Sequence, residues 1–464
     1  MKKTVRQQEY SIKNNVQDMT QGNVRTILVS FAIPLMLGNL FQQFYSMVDT
    51  MVVGQGIGYR ALAAVGATAP VVQLILGLAI GLTGGLSVVI AQYFGSGNME
   101  MTRKAVINGI YICAVLAVIV TATGIILCRY LFIITNTPID IIDEAVLYTM
   151  ISFAGAVATI SYNFQAGIMR ALGDSKMPFF FLVIASLINI VLDLFLVFVI
   201  PLGVAGVAIA TIISQIISGI LCFLYIRKHI TVLHFQPGEW KVDTGLILKH
   251  LKVSIPMAFF ASLLAVSFLL LQSTLNSLGS ADVAAYTAAS KMDSLIYQIM
   301  GAFGTAISTF AAQNFGKLEF KRIHEGIRKC MQITVCISLI LAVFVFCFGK
   351  YFMLMFVGGA EKEIISAGTM YMKITSVFYI ILGVNFVVRF VLAGIGETMV
   401  PLIVGIMEIV VRSVSAFLLI KYFGFVGMSF VSPLCWFTST LLVAIICPVL
   451  MRKAEAQKER EIAI

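Results

Sequence analysis

Two carboxylic acids lie inside long apolar stretches of this sequence, Asp49 and Asp193. A charged side chain at that depth costs at least ~2.5 kcal/mol in a membrane, so each acid is a candidate functional group. Tyr45 and Asn189 each precede one of the acids by four residues and share its helix face, and Thr211 follows on the next apolar stretch. Neighbouring carboxyl groups shielded from water can hold and release a proton, and the same oxygens can ligate Na⁺. This group predicts a cation-coupling site, with helix-to-helix hydrogen bonding as the alternative.

The composition around these acids is that of an integral membrane protein. Of 464 residues, 59% are hydrophobic and 12% are charged, with a mean hydropathy of +0.98. Soluble domains carry about 25% charged residues, so a soluble globular protein is excluded. The net charge of +10 does not predict a nucleic-acid partner, because the basic residues lie between apolar segments. The partner that we expect is the lipid bilayer, around a protein that is a monomer.

The apolar runs predict an all-α membrane protein with twelve transmembrane helices, since one span needs about 20 apolar residues. The predicted domains are a cytoplasmic N-terminal arm, an N-lobe of six spans, a cytoplasmic linker, a C-lobe of six spans and a cytoplasmic tail. They cover residues 1–26, 27–226, 227–250, 251–451 and 452–464, with the spans near 27–52, 61–94, 105–128, 143–169, 178–200, 203–226, 252–277, 282–315, 329–349, 363–391, 399–421 and 424–451.

The basic residues also predict the orientation. With these spans, 23 of the 32 Lys and Arg residues lie on the side of the N-terminus and 5 lie on the opposite side. Loops rich in Lys and Arg stay in the cytoplasm, so we expect a multi-pass protein of the cell membrane with both termini cytoplasmic. The polar N-terminal arm offers no apolar core of a signal peptide.

The two halves of the chain repeat each other at a nearly constant shift along the sequence. Because each half has an even number of spans, the halves share one orientation and predict two six-helix bundles around a cleft, as in secondary transporters. A duplicated scaffold without a transport role is the alternative. Asp49 and Asp193 correspond to Leu271 and Ala416, so the acid pair is confined to the first half. The landmarks that repeat are Pro34 with Pro256, Gln92 with Gln313, Gly95 with Gly316, Gly173 with Gly396, and Gly203 with Gly424.

The second half has its own charges inside predicted spans. Glu408 and Arg412 are four residues apart, which predicts an intrahelical ion pair. Asp293 needs a partner from another helix, and we pair it with Lys373 across the bundle; Met292 beside it is a possible substrate contact. Lys291 has no predicted partner.

Metal-ion and nucleophile chemistry has no support in the sequence. No HExxH motif or histidine cluster occurs, and the eight cysteines stand singly without a CxxC motif. We therefore expect no enzyme activity and no cofactor other than the coupling ion, H⁺ or Na⁺.

The segment from Ile33-Pro34-Leu35 through Phe41-Gln42-Gln43-Phe44-Tyr45 to Val48-Asp49-Thr50 resembles the opening signature of the multidrug and toxic compound extrusion (MATE) transporters. Arg170-Ala171-Leu172-Gly173-Asp174 with Pro178 is similar to a second family motif, and the resemblance covers about residues 20–450. It implies cation influx that drives drug efflux, with lobes that open alternately.

In the branch of that family with its coupling acids in the N-terminal lobe (DinF-like), the matching positions are the five residues of the predicted site. Pro34 matches a proline where the first helix can bend, Asn163 is a weaker match for the same network, and Gln42 is a further possible contact. A branch that uses acids of the seventh and tenth spans for Na⁺ is not matched, because the tenth offers Lys373 instead.

These observations lead to one principal hypothesis and two alternatives. The first is an antiporter that exchanges protons, or Na⁺, for small lipophilic cationic drugs. The second is a flippase of lipid-linked oligosaccharides in the same superfold, in which Lys291, Lys373 and Arg412 would hold pyrophosphate. The third, a membrane-embedded enzyme, lacks a catalytic constellation.

Overall fold

The computed structural model describes residues 17–135, 137–275, 278–357 and 362–463. Within these ranges the regular structure is helical throughout, which confirms the predicted all-α fold. Most of the predicted N-terminal arm, residues 1–16, lies outside the described residues.

The helices of the first half follow the apolar runs and exceed most of them in length, because polar residues at the predicted ends continue the same backbone hydrogen bonding. The helix α1 runs through Pro34, which contributes no N–H to its own turn. The bounds are α1 Val24–Val52, α2 Tyr59–Gly95, α3 Met99–Ile134, α4 Ile139–Ala154, α5 Ala156–Ala171, α6 Lys176–Leu194 and α7 Val204–His229, with a short 3₁₀ turn at Thr231–Leu233.

The helices of the second half repeat this order after the linker. The bounds are α8 Thr244–Leu275, α9 Ser280–Gly316, α10 Phe320–Val357, α11 Lys362–Val377, α12 Tyr379–Ile395 and α13 Met399–Ala463. The last of these contains a break at Gly424, where the backbone leaves the helical region.

The described helices supply the predicted spans. Nine stretches are long and apolar enough to cross a membrane, and two bent pairs, α4 with α5 and α11 with α12, bring the number to 11. One of the nine, Met399–Ala456, has 58 residues and thus about 87 Å of helix at 1.5 Å per residue. That length allows two crossings of a core about 30 Å thick on either side of Gly424, which gives twelve transmembrane helices in two sets of six.

The internal repeat is visible in the backbone. The α4 to α5 bend of 47° lies at Gly155, and the α11 to α12 bend of 51° lies at Phe378, the repeat equivalent of that glycine. Gly203 has φ 59° and ψ −141°, and Gly424 has φ 57° and ψ −137°. Residues with a side chain rarely adopt this conformation, so both positions need glycine to join the fifth and sixth spans of each half.

The chain folds as two compact units. Unit 1 consists of the described part of residues 1–21 with residues 33–262 and 312–317, and unit 2 consists of residues 22–32, 263–311 and 318–464. The core of unit 1 contains Phe153, Phe164 and Met169, and that of unit 2 contains Met300, Tyr371 and Tyr379. The predicted domain boundaries at 226 and 251 stay predictions.

Candidate functional site

The two predicted acids come together inside unit 1. Asp49 lies one turn before the end of α1, and Asp193 lies one residue before the end of α6. Asp193 is fully buried, and Asp49 is partly buried. The side chains of the two acids lie within hydrogen-bonding reach of each other. Two carboxyl groups can form such a bond only when one of them carries a proton, because an ionised carboxylate has no donor.

The polar atoms of this pair have few other partners. Among the described residues, both carboxyl oxygens of Asp193 and Oδ1 of Asp49 are buried and accept no hydrogen bond from another protein group. Both side-chain polar atoms of Asn189, one turn from Asp193, are likewise buried without a protein partner. Buried polar atoms are nearly always satisfied in folded proteins, so this cluster has spare capacity for a proton, a small cation or water.

A small cavity lies beside Tyr45 and Asn189, each of which is one helical turn from an acid. It is lined by Tyr45, Asn189 and Thr211 of the predicted set together with Ser186 and Gln215. The cavity has room for about one water molecule. Three of the predicted side chains thus lie in one region of the first half, and their role as a coupling site stays a prediction.

Tyr148 of α4 is a member of this site that the sequence analysis missed. Its side chain lies close enough to Asp49, Tyr45 and Asp193 for electrostatic interaction, and it packs against the buried cluster that contains Val52 and Val53. The signal in the sequence was weak, because an aromatic residue within an apolar run is usually packing or facing lipid. Its hydroxyl gives the site a second phenol, besides that of Tyr45, from a helix that carries neither acid.

Two further predicted residues have different outcomes. Gln42 lies one turn from Tyr45, and their side chains interact, so it borders the site. Asn163 donates its amide to the carbonyl of Thr159 at 2.8 Å within α5, which satisfies its donor without the acids. Its place in the coupling network stays a prediction.

Both acid-bearing helices end in a wider turn. After α1, residues Val53–Ile57 form a π-helical turn closed by the bond from Gly58 N to Val53 O at 3.1 Å. After α6, residues Phe195–Val199 do the same, with Ile200 N bonded to Phe195 O at 3.1 Å. The two turns pack together, since a Cβ added at Gly56 would lie 2.9 Å from Val197 Cγ1. Such turns are rare and concentrate at functional sites.

The buried acid of the second half is held differently. Asp293 accepts hydrogen bonds from Tyr371 at 2.7 Å and from Tyr379 at 3.0 Å, so both of its oxygens have donors. Its predicted pairing with Lys373 is wrong: Lys373 is exposed, and its ammonium lies 4.9 Å from the ring centroid of Phe346. An exposed lysine can extend its ammonium toward water, whereas tyrosine supplies Asp293 with a donor and adds no charge to bury.

Met292, adjacent to this acid, packs in the core of unit 2, and Lys291 is exposed. The substrate contact proposed for Met292 stays a prediction.

The predicted intrahelical pair of Glu408 and Arg412 is also wrong. Glu408 forms its ion pair with Arg389 of α12 at 2.7 Å, with both side chains 8% exposed. Arg412 donates instead to Ser267 at 2.7 Å and to Ser432 at 3.1 Å. Sequence spacing identified the charges but could not choose among partners on other helices.

The cluster of Arg412 with Ser267 and Ser432 lies at the repeat equivalent of the acid site. Under the internal repeat, Arg412, Ser267 and Ser432 correspond to Asn189, Tyr45 and Thr211, in that order. The same three helix positions are polar in both halves. In the first half two carboxyl groups lie beside them, whereas in the second half one of the three is itself an arginine. The charge of the two clusters is therefore opposite.

Comparison with known proteins gives the same assignment as the motifs. The sequence profile of the MatE family matches the chain twice, at residues 34–195 and 256–418. The probable multidrug resistance protein YpnP of Bacillus subtilis (strain 168) is 30% identical over 425 residues, which are 90% of this chain and 95% of that protein. The probable multidrug resistance protein NorM of Thermotoga maritima is 24% identical, over 89% of this chain and 90% of that protein.

Solved structures show the same fold. The outward-facing conformation of a multidrug resistance MATE family transporter of the MOP superfamily is 22% identical and superposes with a TM-score of 0.86, over 95% of this chain and 98% of that one. The two segments that match the family profile begin and end at repeat-equivalent positions, so the profile reproduces the internal repeat. This chain is a member of the MatE family.

Proposed function

We propose that this protein is a multidrug efflux antiporter that exchanges protons for small lipophilic cations. The observation that carries the proposal is the pair of Asp49 and Asp193, whose side chains interact with each other and whose buried oxygens lack other donors among the described residues. Such a pair is best satisfied when it holds one proton. The protonated carboxyl group then donates to its neighbour, whereas two ionised carboxylates would repel each other and leave two buried charges without a donor.

The pair therefore has two accessible charge states. With one proton it carries one negative charge and attracts a cation; with two protons it is neutral and releases that cation. Uptake of a proton on one side of the membrane and of a monovalent cationic drug on the other would neutralise the same charge in turn. Competition for one charge is sufficient to couple the two fluxes.

The charge balance of this exchange sets the driving force. One proton moving in for one monovalent drug moving out transfers no net charge, so the membrane potential does not contribute. The pH gradient supplies ~1.36 kcal/mol per unit, which sustains about a tenfold drug gradient per pH unit.

The relatives support drug efflux as the direction of transport, since YpnP and NorM are both named as probable multidrug resistance proteins. The basic loops support a protein of the cell membrane with cytoplasmic termini, and we propose that it works as a monomer. The flippase alternative has less support, because Lys291 and Lys373 are exposed and Arg412 is held by two serines.

The test measures proton release when a cationic dye is added to purified, weakly buffered protein, with and without Na⁺. We expect about one proton per bound dye in the wild type, unaffected by Na⁺, and none in Asp193→Asn. Asp293→Asn is the matched control, because it removes a buried carboxyl group from unit 2 and should leave proton release unchanged. Wild-type release in Asp193→Asn, or dye binding that displaces Na⁺ instead of protons, would refute the proposal.

A further inference from the structure

The segment Gln17–Gln21, here named the strap, has an ordered structure ahead of the first span. Asp18 organises it: the carboxylate accepts from the backbone N of Thr20 at 2.8 Å, from the Thr20 hydroxyl at 2.5 Å and from Gln21 Nε2 at 3.1 Å. The side chain of Met19 is fully buried, and Thr20 is 5% exposed. These contacts belong to a docked segment and not to a solvated tail.

The strap is bonded to the last turn of α9. Met19 N donates to Gln313 Oε1 at 2.9 Å, and Asn314 Nδ2 donates to Met19 O at 3.3 Å. Lys317 Nζ donates to the Thr20 hydroxyl at 2.9 Å. Three polar side chains of one helix end thus hold two residues of the strap, and Gln313 and Asn314 are fully buried.

A second anchor joins the strap to the turn between α5 and α6. Gln313 Nε2 donates to the carbonyl of Ala171 at 2.8 Å, so one amide bridges the strap and this turn. Gly173 has φ 90°, and a side chain there would overlap the carbonyl of Gln17. The strap therefore contacts two separate parts of unit 1, the end of α9 and the turn after α5. Gln313 is bonded both to the strap and to that turn.

The same helix end touches α2 backbone to backbone. A Cβ at Gly95 would overlap the carbonyl of Gln313, and a Cβ at Gly316 would overlap the carbonyl of Gln92. Gly95 and Gly316 are repeat equivalents, and so are Gln92 and Gln313. The contact is reciprocal, because each glycine lies against a carbonyl group of the other helix. This backbone contact between the ends of α2 and α9 is here named the closure.

We infer that the strap is a latch that keeps this closure shut and has to release Gln313 in each transport cycle. The inference rests on the proposed function, because a transporter with alternating access must open each side in turn. The helix α9 has residues 280–311 in unit 2 and residues 312–316 in unit 1, together with Lys317 directly after it. Its last turn is thus the part of a long helix that has to exchange partners when that helix moves, and the strap bonds to that turn.

The polar character of the latch fits this role. The bonds described between the strap and α9 are those of uncharged amides and one half-buried lysine, and none of them is an ion pair. Such bonds are individually weak in net terms, so the closure can be opened by a ligand that favours the other state.

The experiment crosslinks the strap to α9 reversibly. Thr20→Cys with Lys317→Cys is bridged by a short bis-methanethiosulfonate reagent, in a background where the exposed Cys336 and Cys347 are replaced by serine. Transport is followed as counterflow of labelled against unlabelled dye in proteoliposomes. Counterflow requires alternating access but no coupling ion, so it judges the latch even if proton coupling fails.

We expect the crosslink to reduce counterflow at least tenfold and a reducing agent to restore it. Each single-cysteine variant treated with the reagent is the control. Proton release on dye binding, measured on the crosslinked protein, should persist, which separates failure of the latch from failure of the proposed function. Counterflow at the uncrosslinked rate in the bridged protein would overturn the inference.

Hydrogen exchange of the backbone amides in the strap gives a readout that a merely structural contact would not move. We expect Gln313→Ala to speed exchange of Met19 at least tenfold, and saturating dye to speed it in the wild type also. Lys321→Ala, at an exposed lysine about one turn further along, is the control and should leave exchange unchanged. Exchange that is insensitive to dye would refute the latch, whether or not Gln313→Ala speeds it, because a purely structural contact would respond to the substitution alone.

Discussion

The buried ion pair of the second half offers a sharp test of membrane-protein energetics. Glu408 and Arg389 lie 2.7 Å apart with side chains 8% exposed. Replacing Glu408 by Gln keeps the volume but leaves the guanidinium of Arg389 buried without this counter-charge. Breaking a buried pair from one side costs about 3–5 kcal/mol, because the remaining charge keeps its desolvation penalty.

A matched exposed pair isolates the role of burial. Lys104 and Glu100 lie 2.6 Å apart, one helical turn from each other, but their side chains are 35% and 62% exposed. Water already solvates both charges, so Glu100→Gln should cost far less than Glu408→Gln. The two bond lengths are nearly equal. Only burial predicts that Glu408→Gln lowers the free energy of unfolding several times more than Glu100→Gln does.

The structure also predicts that the two partners are not equivalent. Arg412 lies one turn beyond Glu408 and interacts with it electrostatically. In Arg389→Met the carboxylate therefore keeps a cation within reach, whereas in Glu408→Gln two buried cations lose the acid between them. We expect Arg389→Met to cost less than Glu408→Gln. The double variant should recover most of the loss, because it removes both charges of the pair.

The assay is thermal unfolding in mild detergent, with a double-mutant cycle. At about 2–4 °C per kcal/mol for a folding unit of 150–250 residues, Glu408→Gln should lower the Tm by at least about 6 °C, and Glu100→Gln should lower it by only a small fraction of that shift. Equal shifts for the buried and the exposed pair, or a double variant that is as unstable as the worse single variant, would show that the pair is not the buried, mutually compensating unit that its geometry indicates.

Three further changes have expected outcomes. Gly424→Ala forces a side chain into a conformation suited to glycine and should destabilise by about 1–3 kcal/mol, whereas Gly66→Ala, with open space inside a helix, should be neutral or stabilising; both are measured as changes in Tm. Glu239 has its pKa held below the ordinary 4.5, chiefly by its hydrogen bond from an arginine of α3, so its stabilisation of the linker is present above that value and is lost as pH falls through the lowered pKa. Fluorescence of Trp240, with the other tryptophan replaced by phenylalanine, should report this loosening, and Glu239→Gln should show the loosened signal at every pH. Gly56→Ala should lower dye efflux several-fold by separating the two π-helical turns, and efflux at the wild-type rate would contradict their role.

The sequence was sufficient for the features that depend on period and composition. Long apolar runs can only be spans, and the glycine landmarks at a nearly constant shift required the same backbone in both halves, as Gly203 and Gly424 show. The acid site was also predictable, because a carboxyl group in a span has to find a polar neighbour. Asp49, Asp193 and Asn189 could be grouped for that reason alone.

Partner choice across helices could not be predicted. The spacing of Glu408 and Arg412 is right for an ion pair, but a competing cation from α12 takes the carboxylate. Asp293 is satisfied by two phenols, a solution that no charge pattern reveals. Tyr148 was missed for a related reason: an aromatic ring is at home in any apolar run, and only the packing of helices decides which ring reaches the acids.

The paired π-helical turns beyond the acids have a geometric consequence. Each holds one more residue than an α-helical turn. If such a bulge migrates by one position along its helix, the residues it passes rotate by about 100° while both ends of the helix stay in place. Asp49 and Asp193 stand within about one turn of these bulges, so either carboxyl group could be turned toward or away from its neighbour by rewinding a single turn, without a displacement of the whole bundle.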